Sequence, residues 1–284
     1  MPRDPELHAR LDRLARASRM LFVAGLPGTG KSLLVHQLAH LAAGAGRVVH
    51  LLQWDVARPV LEASAAARRY PTVDGVTHAM VRKAVGIWSR RAVIEWERQW
   101  TDPAHLLLGE TPFVGNRLIE LARPADDDTE PLLAAPTCRF TIAVPSTDVR
   151  RFLEAERERR AATPLHPRER EDAPPPVLRD LWRQLVDVGR ALGIAPTAGL
   201  DREPPYDPQM YQRVYEALLR HRHVEVVPLR TVLPTARLSV YDFAVPHHEV
   251  KPREAEADAI VREAAARYPD PAALARDVDR WWVV

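Results

Sequence analysis

Cysteine, lysine and asparagine are almost missing from this chain. Of 284 residues only Cys138 is a cysteine, which excludes an internal disulfide and suits a reducing compartment. Lys31, Lys83 and Lys251 are the only lysines among 40 Lys and Arg residues. Asn116 is the only asparagine, so there is no Asn-Lys-x-Asp segment of the kind a GTPase uses to read its base. No apolar run is long enough to span a bilayer, and Met1-Pro2-Arg3-Asp4-Pro5 is not an apolar signal segment. The cytoplasm is the expected location, with no membrane contact. The histidine pairs His221-x-His223 and His247-His248 lack a Cys or His-Glu-x-x-His partner and read as structural or surface groups. A net charge of +2 gives no electrostatic signature of nucleic acid. With 46% apolar residues, the chain can bury one large core or a core plus a cap. Nothing in it sets an oligomeric state.

The most informative stretch is Gly25-Leu26-Pro27-Gly28-Thr29-Gly30-Lys31-Ser32, a full G-x-x-x-x-G-K-[ST] phosphate-binding loop. It follows the strand-length apolar run Met20–Ala24, and Leu33-Leu34-Val35 and Leu38-Ala39 continue it with helical spacing. Gly25, Gly28 and Gly30 let successive backbone N–H groups turn toward an anion. The positive end of the following helix faces the same charge. Lys31 suits the β- and γ-phosphates of a nucleotide, and the Ser32 hydroxyl suits Mg²⁺. A lysine here, in a chain that otherwise uses arginine, fits the need for a compact ammonium. The expected ligands are ATP and Mg²⁺, held by residues Gly25 to Leu33.

Arg47–Gln53 reads as a second strand, followed by Trp54-Asp55-Val56-Ala57-Arg58. This places Asp55 and Arg58 on the rim where open α/β sheets bind ligands. A carboxylate there can orient an acceptor hydroxyl or take its proton, and Arg58 can hold an anionic part of the acceptor. The competing reading makes Asp55 the N-cap of a helix starting at Val56. The loop, the second strand and Asp55-x-x-Arg58, in that order, resemble the P-loop kinases that phosphorylate a hydroxyl. These include polynucleotide 5′-hydroxyl kinases, zeta-toxin-like kinases and chloramphenicol phosphotransferase. The resemblance covers roughly residues 18–235 as a layout, and only the loop and the Asp-Arg pair match tightly. It implies that Asp55 is the catalytic carboxylate and that Arg58 contacts the acceptor. It also implies a mobile lid after the fourth strand, whose arginines close over the transferring phosphoryl group.

The third strand, His105–Leu108, runs into Gly109-Glu110-Thr111, where Glu110 would join Ser32 at Mg²⁺. Gly115–Leu121 reads as the start of a helix, with Arg117 facing either the acceptor or solvent. The fourth strand is Arg139–Val144. Thr147 or Asp148 would cap a helix running from Val149 to Ala162. Within the lid, residues 146–176, Arg157 and Arg160 are the candidates for stabilising transferred charge. Interleaved glutamates make a solvated, salt-bridged helix the alternative. A fifth strand, Val224–Leu229, carries Pro228 and so belongs at a sheet edge. The expected fold is α/β: a single P-loop NTPase domain over 1–284, with a five-stranded, mostly parallel, doubly wound sheet. To it are added a helical insert at 60–100 and a two-helix closure at 254–284. His78, Arg82 and Lys83 in the insert are candidates for the acceptor pocket, while Val85, Trp88, Ala92 and Trp96 fall at core-packing spacing. The expected activity is phosphoryl transfer from Mg·ATP to a hydroxyl, most simply of a small metabolite. A nucleic-acid 5′-hydroxyl or tRNA-linked hydroxyl is the alternative acceptor, and a non-catalytic ATP-binding protein the alternative role.

Overall fold

A computed structural model describes residues 4–73, 75–171, 173–196, 204–232 and 239–284. Met1 to Arg3 of the N-terminal reading and Asp172 of the expected lid lie outside these residues. Among the described residues, six parallel strands form one sheet in the order β5-β4-β1-β3-β2-β6. The strands are β1 (Met20–Ala24), β2 (Val48–Gln53), β3 (His105–Thr111), β4 (Cys138–Pro145), β5 (His223–Leu229) and β6 (His247–Val250). The sheet is entirely parallel, and six strands replace the expected five. The addition, β6, pairs with β2 alone through His247-His248-Glu249-Val250. It is held by backbone hydrogen bonds at an edge and lacks the apolar run that announces a buried strand. Pro228 lies in the opposite edge strand, as its missing N–H requires.

Both faces of the sheet are covered, which is why β1 is buried at every position. Met20, Phe22 and Ala24 face one core and Leu21 and Val23 the other, following the two-residue strand period. The smaller core lies under α1 (Pro5–Ala17) and α2 (Lys31–Gly44). The larger core is packed by α3 (Trp54–Glu62), α4 (Ala79–Gln99), α7 (Pro175–Ala191) and α8 (Pro208–Leu218). The closing helices α9 (Glu254–Arg267) and α10 (Pro271–Asp279) join it. Trp88, Ala92 and Trp96 of α4 are buried there, so the tryptophan spacing reports packing. Each large apolar side chain stabilises the core by roughly 1.5–3 kcal/mol. Phe22 stacks on Phe140 at 4.9 Å, and a Cβ on Gly109 would meet the Phe22 ring at 2.4 Å. Glycine is thus required where β3 passes that ring.

After β1 the chain enters α2 and crosses to β2 on one side. After β4 it passes through α6 (Thr147–Ala162), α7 and α8 to β5 on the other side. The two exits diverge and leave a crevice outside the carboxyl ends of the strands. Two local expectations fail there. Ser146, not Thr147 or Asp148, caps α6, its hydroxyl accepting from the Val149 amide at 3.3 Å. Gly115 begins no helix: residues 113–117 form a bridged turn, followed only by a 3-10 turn at Ile119–Leu121. Gly-Asn at 115–116 is turn chemistry, and it overrides the apolar spacing that follows. Among the described residues, no helix is long and apolar enough to cross a membrane.

Candidate functional site

The Gly25–Ser32 loop joins β1 to α2 and lines a cleft of about 540 Å³. Gly28 (φ +75°) and Gly30 (φ +85°) take the left-handed conformation that side chains disfavour. Lys31 Nζ reaches back to the Leu26 carbonyl at 2.9 Å, and Thr29 Oγ1 donates to the same oxygen at 2.7 Å. The Leu26 amide donates to Tyr211 Oη at 3.2 Å, anchoring the loop on α8. Gly30 caps α2 without a side-chain hydrogen bond, so the first amides of the helix offer a positive end to an anion. Pro27, Gly28, Gly30, Lys31, Ser32 and Leu33 line the cleft, whereas Leu26 and Thr29 are buried behind it. Gly25 also lies behind, where a Cβ would come within 2.5 Å of Tyr211 Oη.

Glu110 ends β3 beside this loop. Its carboxylate lies 3.5 Å from Lys31 Nζ and accepts from Ser32 Oγ at 3.2 Å. Lys31 is 4% exposed, and burial lowers its pKa. Glu110 opposes that shift, Arg157 adds to it, and Asp55 opposes it more weakly. The ammonium is a desolvated cation that gains from a nearby polyanion. Ser32 and Glu110 offer two oxygen ligands to a hard cation. Among the described residues no group of three His, Cys, Asp or Glu side chains could hold a metal. Two protein oxygens suit a Mg²⁺ that keeps waters and phosphate oxygens in its shell.

Asp55 and Arg58 also line the cleft. Asp55 is the second residue of α3, whose N-cap is Gln53, so the capping role falls away. Arg58 donates to Glu62 Oε2 at 2.6 Å, and Glu62 Oε1 accepts from Thr72 (3.0 Å) and Thr77 (2.8 Å). Arg58 is therefore oriented before any ligand arrives. Lys83 does not join this pocket. It is buried at 2% exposure and paired with Glu120 at 3.1 Å and Asp277 at 2.5 Å. His78 accepts from the Met80 amide at the start of α4 and is likewise occupied.

Arg157 and Arg160 of α6 complete one wall of the cleft. Arg160 is committed to Glu156 (2.8 Å) and Glu169 (3.4 Å). Glu169 also accepts from the Leu165 amide (2.6 Å) and Ser239 Oγ (2.6 Å). Arg160 thus braces segment 146–176 internally, and Glu169 fastens that segment to Ser239, beyond β5. Two arginines carry more of the site than their sequence context shows. Buried Arg150 donates to the Pro27 carbonyl at 3.2 Å and pairs with Glu154 at 2.6 Å. Arg117 lines the cleft from the turn after β3. The Gly-Asn pair before Arg117 is the signal that could have marked it, whereas nothing in the charge-rich stretch singles out Arg150. No family model, no curated protein and no solved structure matches this chain.

Proposed function

We propose that this chain is a P-loop phosphotransferase that moves the γ-phosphoryl group of Mg·ATP to a hydroxyl of a small acceptor. One observation carries the reading: Lys31 and Ser32, Asp55 and Glu110, from three separate segments of the sequence, line the same cleft. Its volume lies in the range of small-molecule sites. Bound Mg·ATP supplies the transferable phosphoryl group. Lys31 and the amides from Gly28 to Ser32 hold phosphate oxygens, drawing the ammonium from Leu26 and Glu110. Ser32 and Glu110 hold the cation. Asp55 orients the acceptor hydroxyl and accepts its proton, and Arg58 steadies the acceptor. Arg157 lies close enough to Lys31 to act on the same phosphate charge.

The test separates binding from chemistry. Asp55→Asn should keep ATP affinity within about twofold and lower transfer by about 10²–10⁴, the usual weight of a general base. Lys31→Ala should impair both. Unchanged transfer in Asp55→Asn contradicts the assignment, and tight ATP binding without turnover points to a nucleotide-gated binding protein.

A further inference from the structure

The acceptor end of the cleft carries more positive charge than holding a hydroxyl requires. Among the described residues the Arg117 side chain makes a single hydrogen bond, Nη1 to the Val114 carbonyl at 3.2 Å, and lies 5.9 Å from the centre of the Trp54 ring. Among the described residues no carboxylate forms an ion pair with it, which leaves most of its five N–H donors for a ligand. Burial, Arg82 and Arg58 together press its pKa down to about 10, with Asp55 acting against them. Arg82 donates to the Gly115 carbonyl at 2.8 Å, and its buried Nε has no hydrogen-bond partner among the described residues. Arg117 thus feels two further guanidiniums, Arg82 and Arg58, against one carboxylate, Asp55; Arg82 has Asp279 nearby, and Glu62 is already engaged with Arg58.

The turn that presents Arg117 is strained. Phe113, Gly115, Asn116 and Leu118 have φ of 61°, 65°, 62° and 64°. For Phe and Leu this conformation costs on the order of 1–3 kcal/mol each and persists only where the surroundings enforce it. Here they do. Phe113 and Arg117 exchange backbone hydrogen bonds at 2.9 and 3.0 Å. Asn116 Nδ2 donates to Glu120 Oε1 at 3.3 Å, and Lys83 holds that same oxygen at 3.1 Å. The buried Lys83–Glu120–Asp277 network therefore fixes the turn, and the turn fixes Arg117 against the cleft.

We infer that the acceptor carries its own anionic group, a carboxylate or a phosphate ester, which Arg117 receives beside Arg58 while the hydroxyl faces Asp55. This rests on the phosphotransferase reading for the hydroxyl, but the anion subsite itself is tested independently. Bidentate pairing between a guanidinium and a planar carboxylate or a phosphate is the chemistry such a site offers. Trp54 supplies an apolar wall for the carbon skeleton between the two groups.

The test has two arms. In the first, inorganic phosphate and glycolate are titrated calorimetrically into the protein, with and without saturating Mg·ADP, for the wild type and for Arg117→Gln and Arg117→Lys. Arg117→Gln should weaken binding of at least one of these probes by tenfold or more and leave ADP affinity unchanged, and Arg117→Lys should recover part of the loss. Equal binding of both probes by wild type and Arg117→Gln overturns the inference. Absence of ADP binding would sink the phosphotransferase reading while the anion measurement still stands. The second arm needs no variant. ADP release by the wild type is compared across hydroxyl compounds matched in skeleton but bearing a carboxylate, a phosphate ester or a neutral amide. Preference for one charged member by tenfold or more supports the inference and tells carboxylate from phosphate. Equal or better use of the amides overturns it.

Discussion

Replacing Glu110 with glutamine isolates the group that ties Lys31, Ser32 and the expected metal together. Glu110 lies 3.5 Å from a Lys31 ammonium that is 4% exposed. At an effective dielectric constant of about 20, that separation corresponds to a gross attraction of about 5 kcal/mol. Glutamine keeps the shape and can still accept from Ser32, and the carboxylate's own desolvation cost is recovered. The net loss is therefore smaller, about 1–3 kcal/mol. For a chain of this size it lowers the melting temperature by roughly 2–5 °C. Burial then depresses the Lys31 pKa with less opposition. The nucleotide prediction has the opposite sign for free and metal-bound ligand. Glu110→Gln removes a negative charge that faces the phosphates, so metal-free ADP should bind as well as or better than in wild type. The gain in affinity on adding Mg²⁺ should shrink by tenfold or more, because the one anionic protein ligand of the cation becomes a neutral amide oxygen. Thermal melts and calorimetric ADP titrations in EDTA and in Mg²⁺ read both effects. An unchanged melting temperature together with an unchanged Mg²⁺ effect would refute the placement of Glu110 at this site.

Three further outcomes follow from other parts of the molecule. Gly28→Ala forces a side chain onto φ +75° and against Leu178, whose Cδ1 lies 3.1 Å from the added Cβ. It should cost about 1–2 kcal/mol in urea melts and lower ADP affinity at least tenfold. Buried His50, whose Nε2 lies 2.9 Å from His105 Nδ1, has its pKa lowered from 6.5 to about 4 by burial and by His248 and His105. Between those pH values the unfolded chain binds the proton and the folded chain does not, so stability falls as pH drops through that window, by about 1–3 kcal/mol in all. His50→Gln should flatten this slope in melts taken from pH 7 to 4, and an unaltered slope would reject the assignment. Glu169→Ala leaves Ser239 and the Leu165 amide without their acceptor and takes one of two carboxylates from Arg160, so limited proteolysis between 160 and 171 should accelerate several-fold, and an unchanged cleavage rate would show that Glu169 does not hold this segment in place.

The parts of this structure that were legible in the sequence are those with strong local signals. β1, the loop and α2 follow from an apolar run, glycines at fixed spacing and a helical pattern, and each of these acts within a few residues. Asp55, Arg58 and Glu110 could be placed because a parallel sheet gathers its carboxyl-terminal loops on one rim. Arg157 and Arg160 reach the same cleft, although pairing commits Arg160 to Glu156 and Glu169. What escaped depends on distant partners. β6 forms from polar residues because β2 offers an open edge. Lys83 looked like a pocket residue until Glu120 and Asp277, remote in sequence, buried it. Arg150 touches Pro27 across 123 residues, a contact that no local pattern announces. Arg117 sits on a turn whose left-handed residues include Phe and Leu, and propensity argues against that conformation.

The most direct test of the central claim is ADP release from the purified protein with Mg·ATP, alone and with a panel of hydroxyl acceptors. The panel spans metabolites, nucleosides, 5′-hydroxyl oligonucleotides and tRNA. The account predicts that at least one acceptor stimulates release, with the γ-phosphate recovered on that acceptor, and that Asp55→Asn abolishes the stimulation while still binding ATP. Stimulated transfer that survives in Asp55→Asn, or ATP bound tightly and never turned over with any acceptor, would contradict it.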